Sequence, residues 1–470
     1  MRAPYFPARS VLFHKEPNGV TYRVPALLYL TRFRTFLAFC EERLSPSDSQ
    51  AHLLVMRKGT FYKNYVEWED MHVLGTAFLV GHRSMNPCPV YDEFTETLFL
   101  FFIAVLGHTS ESYQLVTGNN VTRLCYISST DGGDTWSPVI DLTKTVIGDT
   151  IKEWATFALG PGHGIQLKSG RLLVPAYAYH IECKECFGQL CQTTPRAFCF
   201  HSDTHGRSWR FGEAIPTPES VECQMVTVDE EDGTNVLYCN ARSPLGHRVQ
   251  AISLDDGAVF QEGQLVQRLV ESRNGCHGSV VGFPAPLHLC QTLQHSVGRC
   301  RHWTSIMDSS NTVACSISEA STYPSHDAPP DFLTPTWVVY SHPTWATARK
   351  DLGVFLSLLP RDPDSWRGPW VIYEGPSAYS DLTYLELSPS PGAPPAVAFA
   401  CLFECGTKSA YDEICFSIFT LYELIDNLPQ NVERTSGTGR RQESRSSPAV
   451  QRVPRVKKRR ETLMKMCSVC

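Results

Sequence analysis

The sequence predicts an all-β protein, a propeller assembled from four-stranded blades, and three observations carry that prediction. Short runs rich in β-branched and aromatic residues, separated by Gly, Pro, Asn or Asp, follow one another from Tyr22 to about Asn427. Long helical periodicity is nearly absent, "VIDLTKTVIGDTIKEWATF" being the main amphipathic piece. A turn of the form S-x-D-x-G-x-[TS]-[WF] recurs as "STDGGDTW" from Ser129, "SDTHGRSW" from Ser202 and "SLDDGAVF" from Ser253. A repeated turn between β-rich segments indicates an array of like units. Many short strands joined by such turns favour radial repetition, with a two-sheet sandwich as the rival.

"TYRVPALLYL" is the first strand, and "TLFLFFIAVLG", the most apolar run, reads as a buried strand because it is too short to cross a bilayer. "RLLVPAYAY", "NVLYCNAR", "TWVVYSHP" and "EICFSIFTLYEL" continue the series. In the first repeated turn Asp131 can accept from backbone N–H groups just downstream, and Gly133 supplies a positive φ. Trp136 then re-enters a strand and covers the turn. The second copy has Thr204 in place of the Asp, and the third has Val259 and Phe260 in place of Thr and Trp, so both are expected to staple more weakly. None offers the six to eight oxygen ligands that calcium takes. Two segments break the pattern. Gln291–Pro335 is polar with little periodicity and is expected as a long inserted loop. The stretch 430–470 is rich in Ser, Gly and Arg and is expected to be a disordered basic tail. The domain reading is a propeller over 1–429, interrupted at about 291–335, followed by the tail.

With 470 residues, 42% hydrophobic and 19% charged, the composition is that of an ordinary globular enzyme. "MRAPYFPARSVLFHKEPNG" lacks an apolar core, so no signal peptide is expected. In that setting the 18 cysteines read as mostly reduced thiols, many in the core, rather than as a disulfide scaffold. "CKECFGQLC" gives Cys183, Cys186 and Cys191 at a zinc-like spacing, but no second pair follows, and a reduced surface loop is expected instead of a metal site. The net charge of −6 is uneven: from Asn431 onward eleven Lys or Arg stand against three Glu, a balance of +8, which leaves −14 on the first 430 residues. An acidic body with a basic tail suggests a body that acts and a tail that addresses it.

Several residues interrupt apolar runs with chemistry. Arg23 opens "TYRVPALLYL", Arg242 follows "VLYCNA", and Arg349 precedes "DLGVFL". Each reads either as a salt-bridged core arginine or, if the three converge, as part of a bidentate clamp for a carboxylate. Glu222 in "SVECQMV" needs a buried partner, an Arg or a reactive hydroxyl. Tyr379 in "GPSAYSDLTYL" reads as a packed aromatic or as that hydroxyl. Asp48 in "EERLSPSDSQ" reads as a turn former on a polar loop.

Together these residues resemble a family. "YRVP" near the N-terminus followed by the repeated turns, which are then Asp boxes, is similar to the sialidases. "GHRSMNPCPVYDE", "WATFALGPGHGIQL", "NARSPL", "SHPT", "RKDLGVFL" and "AYSDL" resemble the vertebrate sialidases, and "CLFECGTK" and "NGCHGSVVGF" the membrane-associated, ganglioside-cleaving branch. The resemblance spans about Ser10 to Leu424 and implies a six-bladed β-propeller with its site at the centre of one face. It implies that Arg23, Arg242 and Arg349 hold the substrate carboxylate. Tyr379 is then the nucleophile, Glu222 its base and Asp48 the acid/base. Arg43, Asn86, Glu111, Tyr177 and Tyr179 line the sugar pocket. The implied reaction is retaining exo-α-sialidase hydrolysis of terminal sialic acid from gangliosides and sialylated oligosaccharides, with no cofactor, metal or nucleic acid. A propeller used only to bind sialic acid or as a scaffold is the alternative, and it would need no Tyr–Glu pair and no acid loop.

The tail "RVPRVKKRRETLMKMCSVC" joins a polybasic run to Cys467 and Cys470. It reads as a solvated charge run, as a nuclear-import signal through "VKKRR", or as a membrane attachment in which the basic run supports an acyl chain. "CSVC" has the shape of a prenylation box without a usual final residue, and palmitoylation fits as well. The expected location is peripheral on a plasma, endosomal or lysosomal membrane, with a cytoplasmic pool, nuclear import being the other reading of the tail.

Overall fold

Each apolar run pairs antiparallel with its neighbour in the chain. The computed structural model describes residues 4–62, 65–184, 191–230, 233–286, 289, 334–387 and 396–429. The polar insert, apart from Thr334 and Pro335, and the basic tail lie outside them.

Thr21–Leu30, Thr35–Arg43, Ala51–Tyr62 and Tyr65–Trp68 make one sheet in chain order, and His82–Asp92, Thr97–Leu106, Thr122–Ser129 and Ile140–Asp141 the next. A third holds Trp154–Leu159, Leu172–Cys183, Gln192–Ser202 and Arg210–Phe211, and a fourth Cys223–Asp229, Asn235–Ala241, His247–Ser253 and Gln264–Val270. The remaining strands form one seven-stranded path. The reason is the 21-residue strand Arg367–Leu387, which changes partner midway. Arg367 to Pro376 faces Lys350–Ser357, and Ser377 to Leu387 faces Ala396–Cys405. The strand therefore serves two four-stranded sets, and the pairing runs in five sheet paths rather than six separate ones.

The arrangement is propeller-like, as the sequence predicts. Each sheet packs its first strand against the sheet before it, and the last set returns to the first, where Thr21–Leu30 lies against Arg367–Leu387. The N-terminal strand Arg9–His14 completes the final set by pairing with Glu413–Thr420, Arg9 opposite Ser417. Apolar side chains fill the space between sheets. Thr97–Leu106 is buried along nearly all its length, as its unbroken apolar sequence requires.

First strands meet around a polar hub. Asp381, fully buried, accepts from Leu27 N–H at 2.7 Å, His163 Nδ1 and Gln224 Nε2 at 2.8 Å and Ser279 Oγ at 2.9 Å. Four donors satisfy a carboxylate that burial would otherwise penalise. The hub ties together segments far apart in sequence.

All three repeated turns close with the same bond. Gly133, Gly206 and Gly257 donate their N–H to Ser129, Ser202 and Ser253 Oγ at 2.8, 2.9 and 2.9 Å. Asp131 adds bonds from Asp134 N–H at 3.0 Å and Thr135 N–H at 2.9 Å. Thr204 takes the Asp's place with its hydroxyl, which accepts Ser208 N–H at 2.8 Å. Some local expectations differ from the structure. "EICFSIFTLYEL" is a strand only to Thr420, where a capping box with Glu423 starts the helix Leu421–Asn427. The amphipathic stretch before Trp154 forms a short π turn, Thr143–Ile147, and a 3₁₀ turn, Gly148–Glu153. Eleven described cysteines are free thiols, ten of them buried, and Cys191 is the partly exposed one; Cys183 is disulfide-bonded, which corrects the reading of that cysteine as reduced, and Cys186 lies outside the described residues.

Candidate active site

Strand irregularities place the site residues. The pairing of Thr21–Leu30 slips between Arg23 and Ala26, with Val24 at φ 58°. His82–Asp92 slips between Met85 and Cys88, with Asn86 at φ 55°. Arg367–Leu387 slips between Ser377 and Ser380, at Tyr379. A bulge re-aims the side chains beside it, and here each bulge carries a residue singled out from the sequence. Tyr379 thus stands in a bulged strand. Glu222 sits just before the strand Cys223–Asp229.

Arg23 and Arg43 are buried to 2% and 1% exposure, so each requires a full set of acceptors. Arg23 Nε donates to Glu404 Oε1 at 2.8 Å, and its guanidinium lies 3.7 Å from the centre of the Tyr411 ring. Arg43 Nε donates to Glu41 Oε2 at 2.7 Å and Nη1 to the Pro46 carbonyl at 3.1 Å. Arg43 Nη1 also pairs with Asp48. Glu41 Oε1 accepts the N–H of Asn86 at 2.7 Å, which brings Asn86 to the same wall.

Asp48 starts a 3₁₀ turn, Asp48–Gln50, and is pinned rather than loose. Arg83 Nε donates to the Asp48 carbonyl at 3.1 Å, while its Nη1 and Nη2 reach Gly107 O and Thr109 O at 2.7 Å. That fork fixes the Asp48 turn to the segment leading into the helix Glu111–Thr117. Glu111 is the first residue of this helix, after the cap Ser110. Burial and the nearby Asp48 and Glu222 carboxylates push its carboxyl up to about 7, with Arg242 opposing. Tyr177 and Tyr179 point to the same side of their strand, ring centres 6.1 Å apart, and Tyr177 feels Glu111, Glu222 and Tyr379.

At the centre, the buried Tyr379 hydroxyl donates to Glu222 Oε1. Arg242 Nη1 donates to Glu222 Oε2 at 2.8 Å and to the Tyr379 hydroxyl at 3.2 Å. Burial alone would raise the Glu222 carboxyl, but its neighbours together, Arg242 foremost, outweigh burial and hold it below the ordinary carboxylate range. A carboxylate kept ionised against a phenol hydroxyl is a proton acceptor in place. Arg349 lies 5.3 Å from the Tyr379 ring centre and donates from Nη1 to the Tyr411 hydroxyl at 3.1 Å. The three arginines therefore surround one tyrosine, and all eleven residues singled out from the sequence gather in one region. The arrangement offers clustered cations for an anion, a phenol–carboxylate pair, and a second carboxylate on a separate turn.

Sequence reasoning missed Glu404, Glu41 and His277. Glu404 and Glu41 carried the signal that exposed Arg23, a charge inside an apolar run, in "CLFEC" and "FLAFCEER". His277 is fully buried, its ring centre 5.4 Å from that of Tyr379, and burial pushes its imidazole down to about 4, keeping it neutral. Among the described residues, Cys405, Glu413 and Cys415 form one group of side chains able to ligate a metal.

Comparison with known proteins gives a consistent result. A family model described as a BNR repeat-like domain matches residues 34–387. Sialidase-4 of Mus musculus is 47% identical over 92% of this chain and 96% of its own length. Sialidase-3 of Mus musculus is 42% identical over 90% of this chain and 96% of its own. Among solved structures, the Hadza microbial sialidase Hz136 superposes with a TM-score of 0.63 at 20% identity, covering 88% of this chain and 69% of that one. Trypanosoma rangeli sialidase gives 0.56 at 13% identity over 89% and 60%. Both structural likenesses bear on the fold.

Proposed function

The chain belongs to the vertebrate sialidase family and is an exo-α-sialidase, and from that premise we propose that it removes terminal sialic acid from gangliosides with retention of configuration, using Tyr379 as nucleophile. The observation that carries the mechanism is the buried hydrogen bond from Tyr379 to Glu222, with Arg242 donating to both, while the ganglioside substrate is supported by the likeness of "CLFECGTK" and "NGCHGSVVGF" to the ganglioside-cleaving branch.

Sialic acid bears a carboxylate on its anomeric carbon. Arg23, Arg242 and Arg349 bind that carboxylate, since guanidinium forks match its two oxygens. A carboxylate nucleophile would approach a like charge there, and a neutral phenol does not. Tyr379 Oη attacks the anomeric carbon while its proton passes to Glu222. Asp48 gives a proton to the departing glycosidic oxygen. A water then attacks the same carbon, Asp48 takes its proton, the bond to Tyr379 breaks, and Glu222 returns the proton to the phenol. Two displacements give net retention.

Asp48 acts as an acid only when protonated, whereas its pairing with Arg43 favours the carboxylate. Substrate resolves this by taking Arg43 as its own ligand and desolvating Asp48, which raises its proton affinity. Asn86, Glu111, Tyr177 and Tyr179 line the remainder of the sugar pocket.

The experiment uses 2,3-difluorosialic acid followed by peptide mass spectrometry. An adduct on the peptide holding Tyr379 is expected, with Tyr379→Phe unlabelled and at least about tenfold slower in kcat. Label on another residue, or near-normal turnover by Tyr379→Phe, overturns the assignment. The ganglioside preference is tested separately by comparing rates on a ganglioside and on a soluble sialyl-oligosaccharide, with and without detergent.

A further inference from the structure

The turn from Glu271 to His277 joins Gln264–Val270 to Ser279–Pro284 and holds two of the three arginines through its carbonyls. Asn274 O accepts from Arg242 Nη2. Gly275 O accepts from Arg349 Nε at 3.2 Å and Nη2 at 3.0 Å. Asn274 and Gly275 both sit at positive φ, 68° and 73°, so these carbonyls are aimed by a backbone conformation that Asn adopts only with support. At Gly275 a Cβ would lie 2.5 Å from Arg242 Nε, so only glycine allows this approach.

The support lies beneath the turn. Glu271 is buried to 3% exposure. Its Oε1 accepts from Arg248 Nη1 at 2.9 Å and Ser243 N–H at 3.3 Å. Its Oε2 accepts from Cys276 N–H at 3.1 Å and faces His342 Nε2 at 3.1 Å. Arg248, with no exposure, also donates to Cys276 O and, through Nε, to Asn240 Oδ1, at 2.9 and 2.7 Å. His342 Nδ1 faces Pro343 O at 2.7 Å, and its ring stacks on Tyr340. The turn is gripped at its start by Glu271 itself and at its end by both backbone groups of Cys276. None of Arg248, Glu271 or His342 has a part in the chemistry above. A fully bonded buried ionic network fixes one geometry, whereas an apolar cluster of the same volume tolerates several.

We propose that Arg248, Glu271 and His342 are positioning residues for the carboxylate clamp: they fix the Asn274 and Gly275 carbonyls, and through them the planes of the Arg242 and Arg349 guanidiniums. The proposal rests on reading those two arginines as carboxylate ligands.

The test compares inhibition of the full chain by a sialic acid glycal and by its methyl ester, which keeps the sugar and removes the negative charge. The variants are Glu271→Gln, His342→Phe and His342→Gln, with Arg242→Lys as reference. Glu271→Gln and His342→Phe should weaken the acid about tenfold and the ester by less than about twofold, so that the preference for acid over ester shrinks. KM should rise more than kcat falls. His342→Gln, whose amide still donates to Glu271, should keep the preference. Damage that is only structural lowers the melting temperature and the active fraction but leaves the ratio of the two inhibition constants in place. If Glu271→Gln does not fold, His342→Phe decides, because it preserves the stacked ring shape. A ratio lost in Arg242→Lys but kept in folded Glu271→Gln and His342→Phe overturns the positioning role alone. A ratio unchanged even in Arg242→Lys overturns the carboxylate-ligand reading beneath it.

Discussion

Glu404 accepts the backbone N–H of Tyr379 at 3.1 Å with one carboxylate oxygen and binds Arg23 Nε at 2.8 Å with the other. One buried carboxylate thus sets both the height of the tyrosine and the place of an arginine in front of it. The N–H of Val24 also donates to Glu404, at 2.8 Å.

Glu404→Leu should therefore lower stability and activity together. Removing one partner strands Arg23, which has 2% exposure, and breaking a buried pair in this way costs about 3–5 kcal/mol. Thermal melting and kcat/KM check this. Glu404→Gln, which keeps one acceptor oxygen, should melt higher than Glu404→Leu yet still lose turnover, since Arg23 loses its charge partner. A Glu404→Leu variant with wild-type melting and rate would show that Tyr379 and Arg23 are held by other groups.

Glu111 predicts a pH dependence with a defined sign. Its carboxyl titrates at about 7 against an ordinary 4.5, so between those values the folded chain binds more protons than the unfolded one. Its contribution is fully present below about pH 4.5 and is lost as pH rises through about 7. The total change is about 1–2 kcal/mol after discounting for partial exposure. Melting curves from pH 5 to 8 should show that decline, and Glu111→Gln should flatten it. Ionised Glu111 also faces an anionic substrate, so KM should rise above pH 7 in the native chain and not in Glu111→Gln. A Glu111→Gln variant with the native pH slopes would refute both parts.

Much of this site was legible because a charge inside an apolar run stands out against the hydrophobic pattern. Arg23 and Glu222 were found that way, and Arg242 and Arg349 as charges at the ends of apolar strands. Glu404 gave the same signal, but its partner is 381 residues away and is set only when the ring of sheets closes. The supporting network was less visible, because Glu271 meets His342 across 71 residues and through the register of neighbouring strands. The bulges at Val24 and Asn86 left no mark, since both positions take positive φ without a glycine to announce it. The shared strand Arg367–Leu387 was hidden as well: Gly375-Pro376 reads as a turn, yet it lies within one continuous strand that changes partner there.

The repeated turns make a prediction about stability apart from chemistry. Asp131→Ala removes acceptors for Asp134 N–H, Thr135 N–H and the Thr135 hydroxyl, and should destabilise the chain by about 1 kcal/mol. Thr204→Asp should change stability by less than about 0.5 kcal/mol, because the Thr204 hydroxyl already bonds Ser208 N–H. Urea midpoints measure both. Neither variant should alter kcat/KM in the folded protein, and a large loss of turnover in Thr204→Asp would mean that this turn acts on the site.

The basic tail should strengthen peripheral attachment to membranes without supplying all of it. After Asn431 the chain carries eleven Lys or Arg against three Glu, on a body of net charge −14. An acidic body is repelled by anionic lipid, so a cationic segment is needed to offset that repulsion. Each Lys or Arg near an anionic leaflet contributes roughly 1 kcal/mol, and the effect weakens with salt. Truncation after Pro429, expressed in cells and fractionated beside the full chain, should leave activity on a small soluble substrate intact. Part of the protein should move to the soluble fraction, and the same shift should appear for the full chain at high ionic strength. An unchanged membrane fraction would place attachment in the propeller body. Loss from the nucleus without loss from membranes would assign the basic run to nuclear import instead.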